Sequence, residues 1–178
     1  MPDAPRVRES TAADLPAIAE IYAAWVAGGT ASFELTPPDA AEMARRREAV
    51  LDAGHPYLVA ELDGRIAGYC YASAFRPRPA YAGTVEDTVY VADWAHRRGV
   101  GRALLAELIR RCEAAGRRQM IAVIGDSATL GSIALHEAMG FRRAGLLADV
   151  GYKHGGWRDS VLMQRRLGAG ADAPPGPA

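Results

Sequence analysis

The stretch from Asp87 to Leu108, DTVYVADWAHRRGVGRALLAEL, decides how this chain is read. A run of strand-forming residues ends at Val91, a loop carries Arg97 and Arg98, glycines follow at 99 and 101, and an amphipathic helix begins at once. A helix N-terminus exposes unpaired N–H groups and a partial positive charge, and glycines let a phosphate come close to those donors. The junction therefore reads as a phosphate holder. A P-loop is excluded, since no Gly-Lys-Ser/Thr closes the stretch. A dinucleotide fingerprint fits poorly: Gly99-Val100-Gly101 lacks a third glycine, and seven residues separate Val91 from Gly99, where the dinucleotide turn follows its strand almost immediately. A basic, solvated loop that only caps the helix is the plainer alternative.

Outward from the junction the chain alternates strand and helix signals. Residues 6–9 read as a strand, and Thr11 with Asp14 resembles a capping box that opens a helix with apolar positions Leu15, Ile18, Ile21, Tyr22 and Trp25. GGTASFELTPPD is a loop, and Pro37 and Pro38 suit the start of a second helix running to about residue 53. YLVAEL and RIAGYCYA form a hairpin across Asp63-Gly64, a type I′ signal. After the Pro-rich loop FRPRPAYAG, TVEDTVYV alternates, with Val85, Val89 and Val91 on one face and Glu86, Thr88 and Tyr90 on the other. The junction helix stops at Gly116, MIAVI reads as a central strand, a helix spans about 129–139, and two strands follow near 142–152 and 158–166. One domain over 1–167 is expected, with a structureless tail over 168–178.

Composition narrows the partners. Twenty-one basic residues balance 21 acidic ones, so no global field draws the chain to nucleic acid or anionic lipid. No apolar run approaches the roughly 20 residues that cross a bilayer, and MPDAPRVRES lacks an apolar signal core. A soluble, cytoplasmic protein with a small-molecule partner is expected. Cys70 and Cys112 lack metal-ligand spacing and read as buried thiols, no metal is called for, and Arg45, Arg46 and Arg47 read as an exposed helix face.

HRRGVG resembles the Q/R-x-x-G-x-G/A signature of the GCN5-related N-acetyltransferase (GNAT) superfamily, with His96 at its first position. YLVAELDGRIAGYCYASAFRPRPAY, TVEDTVYV, ALHEAMGF and GYKHGGWRDSVLMQ look like stretches of its phosphinothricin and methionine sulfoximine acetyltransferases, and the resemblance covers residues 6–167. It implies an α/β fold with a mixed, mostly antiparallel central sheet and helices on both faces. It also implies acetyl transfer from acetyl-CoA to the amino group of a small amino acid or analogue, and a homodimer, to which Tyr152 and Trp157 point as surplus aromatics. By the same resemblance, the backbone of Val89, Tyr90 and Val91 pairs with the pantetheine arm. Arg97, Arg98, Gly99, Val100, Gly101 and Arg102 hold the pyrophosphate, and Thr129 and Ser132 stand where the superfamily usually has a pantetheine-binding asparagine.

An amine attacks a thioester only when neutral, so the reaction needs a base for the ammonium, a steadied oxyanion and an acid for the thiolate. Glu86, on the non-valine face, matches the family's catalytic glutamate. Thr129, Ser132 and His136 share one helix face, and His136 matches the histidine of the phosphinothricin group, a candidate acid or second base. Arg76 and Arg78 carry guanidinium forks suited to a carboxylate or phosphinate, Phe75 matches a pocket wall, and Phe33 and Glu34 resemble a loop closing over the amino acid. The competing readings are a non-catalytic acetyl-CoA-binding module and a transferase for a protein or aminoglycoside amine.

Overall fold

The computed structural model describes residues 4–174. One sheet of seven strands runs in the order β1 (Arg6–Glu9), β2 (Tyr57–Leu62), β3 (Arg65–Ala74), β4 (Thr84–Val91), β5 (Gln119–Gly125), β7 (Gly156–Arg166), β6 (Arg142–Lys153). Every neighbouring pair is antiparallel except β4 and β5, so the sheet is mixed and mostly antiparallel. The helices are α1 (Leu15–Gly28), α2 (Ala40–Asp52), α3 (Val100–Ala114) and α4 (Leu130–Ala138).

Local chemistry sets the boundaries. Thr11 N donates to Asp14 Oδ2 at 2.7 Å, and Arg8 grips the same carboxylate in a fork that pulls its pKa down to about 2. A 3-10 turn over Ala12–Asp14 leads into α1. The second helix starts later than the prolines suggest: Asp39 is its N-cap and accepts from Glu42 N, because a side-chain oxygen there satisfies a first-turn donor that a proline would only omit. The β2–β3 turn has Asp63 at φ 52° and Gly64 at φ 73°, as a type I′ turn requires.

The sheet has two unlike faces. Tyr57, Tyr69, Tyr71 and Tyr90 stack across β2, β3 and β4 beneath α1 and α2, where the Tyr22 ring meets Tyr90 edge-on at 5.1 Å. On the opposite face the Cys70 thiol donates to Leu104 O of α3, and Leu104, Leu105 and Leu108 are fully buried. Both cysteines are free and buried.

Two expectations change. Arg47 does not sit on a solvated face: it donates to the hydroxyl and carbonyl of Ser10, while Arg46 bonds Glu34 and Glu42. The chain after Leu167 is not structureless as far as residue 174: Gly168 N donates to Glu113, a 3-10 turn spans Gly170–Asp172, and Arg166 pairs with Asp172. Residues 175–178 lie outside the described residues.

Candidate active site

The parallel pairing of β4 with β5 stops early. It runs from Thr84↔Gln119 to Asp87↔Ala122, after which β4 continues to Val91 with no β5 partner and β5 continues to Gly125 against β7. The two strands part at Asp87, and a cavity of about 440 Å³ fills the opening. Its walls come from β4 (Glu86 through Tyr90), β5 (Ala122 through Gly125), α4 (Ser132, His136), Ser160 of β7, Tyr22 of α1, and the strap 31–34 between α1 and α2.

Side chains alternate along β4, so Glu86 faces the α1 side and Asp87 the α3 side. Both reach one cavity because β5 no longer covers that edge. Glu86 is half-buried, and burial, helped by the neighbouring Asp87 charge, raises its pKa above the ordinary glutamate value. His136 is 3% exposed; its Nε2 lies 3.0 Å from Asp87 Oδ2, its Nδ1 lies 2.7 Å from Ser132 O, and its ring stands edge-on to Phe141. Burial opposes the imidazolium, but the Asp87 contact and the Ser132 carbonyl outweigh it, so the pKa is raised.

The strap is tied from several elements. Lys153, the single lysine of the chain, is buried on β6 and donates to Ser32 O at 2.7 Å. Tyr22 Oη bonds Ser32 Oγ and donates to Glu34, and Arg46 takes the same Glu34 oxygen at 2.6 Å. The Phe33 ring presses on Gly151, where a Cβ would stand 2.5 Å from it, and Thr30 O would stand 2.5 Å from a Cβ on Gly125. Only glycine lets the strap lie this close to the sheet.

Three of the predicted cofactor residues line the same opening. Val89 and Tyr90 are on the cavity wall, while the carbonyl of Val91 is engaged by the Trp25 indole at 2.9 Å. Gly99 caps α3 at φ 81° and, among the described residues, no side chain caps the helix's first turn, which leaves its N–H groups bare. A Cβ on Gly101 would meet Leu135 at 3.1 Å. Arg97 and Arg102 are exposed, Val100 is buried in the core, and Arg98 is held by Asp63 at 2.8 Å. Thr129 precedes α4, its hydroxyl donating to Gly125 O, and Ser132 is on the wall. The bare helix start and the unpaired strand edge fit a pyrophosphate followed by an amide-bearing arm.

Phe33, Glu34, Glu86 and His136 are brought together; Phe75, Arg76 and Arg78 are not on the cavity wall. Arg76 lies over the rings of Phe75 and Tyr81, and both arginines are exposed in the loop after β3. That loop begins beside Glu86 in the sheet, since Ser73 is paired with it. Sequence reasoning passed over Asp87, Tyr22, Ser160 and Lys153. The signal for Asp87 was present as a carboxylate within the valine face, and the signal for Lys153 was its being the chain's single lysine.

Residues 18–141 match the Acetyltransferase (GNAT) family. The chain is 58% identical over 157 residues, 88% of its length and 80% of the relative's, to a phosphinothricin N-acetyltransferase of Alcaligenes faecalis. It is 38% identical over 169 residues, covering 94% and 98% of the two chains, to an L-methionine sulfoximine/L-methionine sulfone acetyltransferase of Pseudomonas paraeruginosa. Among solved structures, a phosphinothricin acetyltransferase of Sinorhizobium meliloti in complex with acetyl-CoA superposes with a TM-score of 0.94 at 48% identity, covering 98% of this chain and 94% of that one.

Proposed function

The chain belongs to the Acetyltransferase (GNAT) family, and from that premise we propose that it moves acetyl from acetyl-CoA to the amino group of a small amino acid or analogue of the phosphinothricin or methionine sulfoximine kind. The observation that carries this is that Glu86 and His136 enter one cavity from opposite faces of the sheet, where β4 and β5 part. Acetyl-CoA lies along the α3–α4 side, with its pyrophosphate on the backbone of residues 97–102 and its arm along Val89 and Tyr90. The amine comes from the α1 and strap side.

Glu86 takes a proton from the substrate ammonium, directly or through a water, and its raised pKa makes the carboxylate a better base than an exposed one. The freed amine attacks the thioester carbon; the C–N bond forms and, on collapse, the C–S electron pair goes to sulfur. A proton held at His136 meets the thiolate. Two protons leave the nitrogen in all: one goes through Glu86 to solvent, and the other replaces the one given to sulfur.

Phe33 walls the amine side, Glu34 holds the strap through Tyr22 and Arg46, and Arg76 and Arg78 receive the substrate's acidic groups at the rim, with Phe75 backing Arg76. A panel of phosphinothricin, methionine sulfoximine, common amino acids, their carboxyl-amides, a lysine peptide and an aminoglycoside, read by thiol release, tests this. Coenzyme A release with the amino acids is expected, and kcat/KM should fall roughly ten- to a hundred-fold on amidation, the loss of a charge-assisted contact. No release with any small amine would sink the reaction; equal rates with the amides would remove the arginines from recognition.

Two copies of the chain associate through β6 and β7. Leu146 (55% exposed), Tyr152 (59%) and Trp157 (63%) form an apolar surface at the open edge of the sheet, with the Tyr152 and Trp157 rings 5.4 Å apart. Light scattering at micromolar concentration should give twice the chain mass of 18.9 kDa; a monomeric mass would refute the dimer. No helix among the described residues is long and apolar enough to cross a membrane, and a cytoplasmic setting suits two unpaired, buried thiols.

A further inference from the structure

The contact between His136 and Asp87 encloses a proton that neither residue accounts for alone. Ser132 O, 2.7 Å from Nδ1, is a carbonyl oxygen with no hydrogen of its own, so Nδ1 carries one. At the other end Nε2 faces Asp87 Oδ2 at 3.0 Å. With only one ring hydrogen and an ionised carboxylate, two lone pairs would be pressed together where both side chains are almost wholly buried, at 4% and 2% exposure. One more proton therefore lies in the contact. An imidazolium against a carboxylate keeps the buried pair neutral as a whole, which an isolated charge at this depth would not.

We propose that Asp87 is a positioning residue of the acetyl transfer: it holds His136 as an imidazolium at the closed end of the cleft, and the proton kept between them is the one the departing sulfur receives. This rests on the transferase reading above. As the C–S bond breaks, its electron pair goes to sulfur; the proton between Nε2 and Asp87 Oδ2 leaves that hydrogen bond for the sulfur in the cavity both residues line, so the Nε2–H bond breaks and S–H forms. His136 is then neutral beside an ionised Asp87, an unfavourable facing of lone pairs, and the second proton shed by the acylated nitrogen restores the imidazolium. Holding the imidazolium's pKa above the ordinary histidine value brings it nearer that of a thiol, where proton transfer to the leaving group is better matched.

The surroundings leave this role to Asp87. The other titratable groups near the pair are Glu86 and Tyr90 on β4, Tyr22 on α1, Glu34 on the strap, Cys70 on β3 and Cys112 on α3, and burial raises both phenols above their ordinary value. Burial keeps both thiols protonated, raising Cys112 to about 12 and Cys70 well above its ordinary value. Among the described residues the only cation within ion-pair distance of Asp87 is His136. Among the described residues Asp87 Oδ1 is buried without a hydrogen-bond partner, so the imidazole is the carboxylate's single side-chain anchor there.

Nitrogen NMR of the four histidine rings, with His136 assigned by its loss in His136→Gln, reads the pair in the free protein. Wild type should hold His136 mainly as an imidazolium at pH 6.5, its midpoint lying above that ordinary histidine value; in Asp87→Asn the midpoint should drop below it, because burial is then opposed by the Ser132 carbonyl alone. At saturating amine and acetyl-CoA, Asp87→Asn should lower kcat about ten- to a hundred-fold and move the alkaline limb of its pH profile down by about a unit or more, with the acetyl-CoA KM within about three-fold of wild type. A mainly neutral His136 in wild type at pH 6.5 overturns the proposal, even if the variant does not fold. So does a kcat loss with the limb and the ring titration unmoved, which would mark Asp87 as structural. A ring that titrates as stated in a protein that acetylates no amine would overturn the transferase reading and the proton's destination together, and so separates the two failures.

Discussion

Glu86→Gln is expected to lower kcat by roughly a hundred-fold or more near neutral pH while leaving the acetyl-CoA KM unchanged. Glutamine keeps the shape of the side chain and removes the proton acceptor. The carboxylate is half-buried beside Asp87, so its pKa is raised, and the acid-side fall of wild-type kcat should lie above the ordinary glutamate value. In Glu86→Gln that acid limb should disappear. The defect should also shrink at high pH, where the amine reaches the enzyme already neutral. A pH-independent defect confined to the amine KM would make Glu86 a substrate-positioning group. A non-catalytic acetyl-CoA-binding module would be indifferent to the change, so the same experiment separates that reading.

Gly151→Ala is expected to raise the amine KM by about ten-fold or more, with the acetyl-CoA KM little affected. The added Cβ would stand 2.5 Å from two atoms of the Phe33 ring, too close for any real contact. The backbone at 151 is not in the left-handed region, so alanine is conformationally permitted and the effect is purely steric. Overpacking of this kind typically costs about 1–3 kcal/mol, which the strap avoids only by moving off the cavity. The strap cannot yield freely, because Lys153 holds the carbonyl and Tyr22 the hydroxyl of Ser32, next to the ring in sequence. Phe33→Ala in the Gly151→Ala background should relieve the clash, so the two changes should be non-additive. Additive effects with an unchanged amine KM in Gly151→Ala would show that the strap does not wall the substrate.

A few residues separate what the chain's own pattern determined from what the fold decided. Helix periodicity, the Asp63-Gly64 turn and the glycine junction were legible because each depends on neighbours within a few residues: a φ above zero, a capping oxygen, an apolar stripe every three or four positions. Strand alternation likewise placed Glu86 away from Val85, because the period of two needs no knowledge of the partner strand. Contacts distant in sequence are not encoded in that way. Asp87 and His136 lie 49 residues apart and Lys153 and Ser32 lie 121 apart, and no local rule pairs them.

Alternation put Asp87 among valines, but only the early end of the β4–β5 pairing, after Ala122, opens that face to the cavity. The arginines show the same limit from the other side. Their chemistry marked them for an acidic substrate, yet where a loop between two strands lies relative to a cavity depends on how the strands splay, and Arg76 and Arg78 end exposed, off the cavity wall. The sequence by itself determined the elements, their order and the chemical type of the site. The tertiary structure decided which charges meet, because burial and pairing energies depend on distances that only the packed sheet sets.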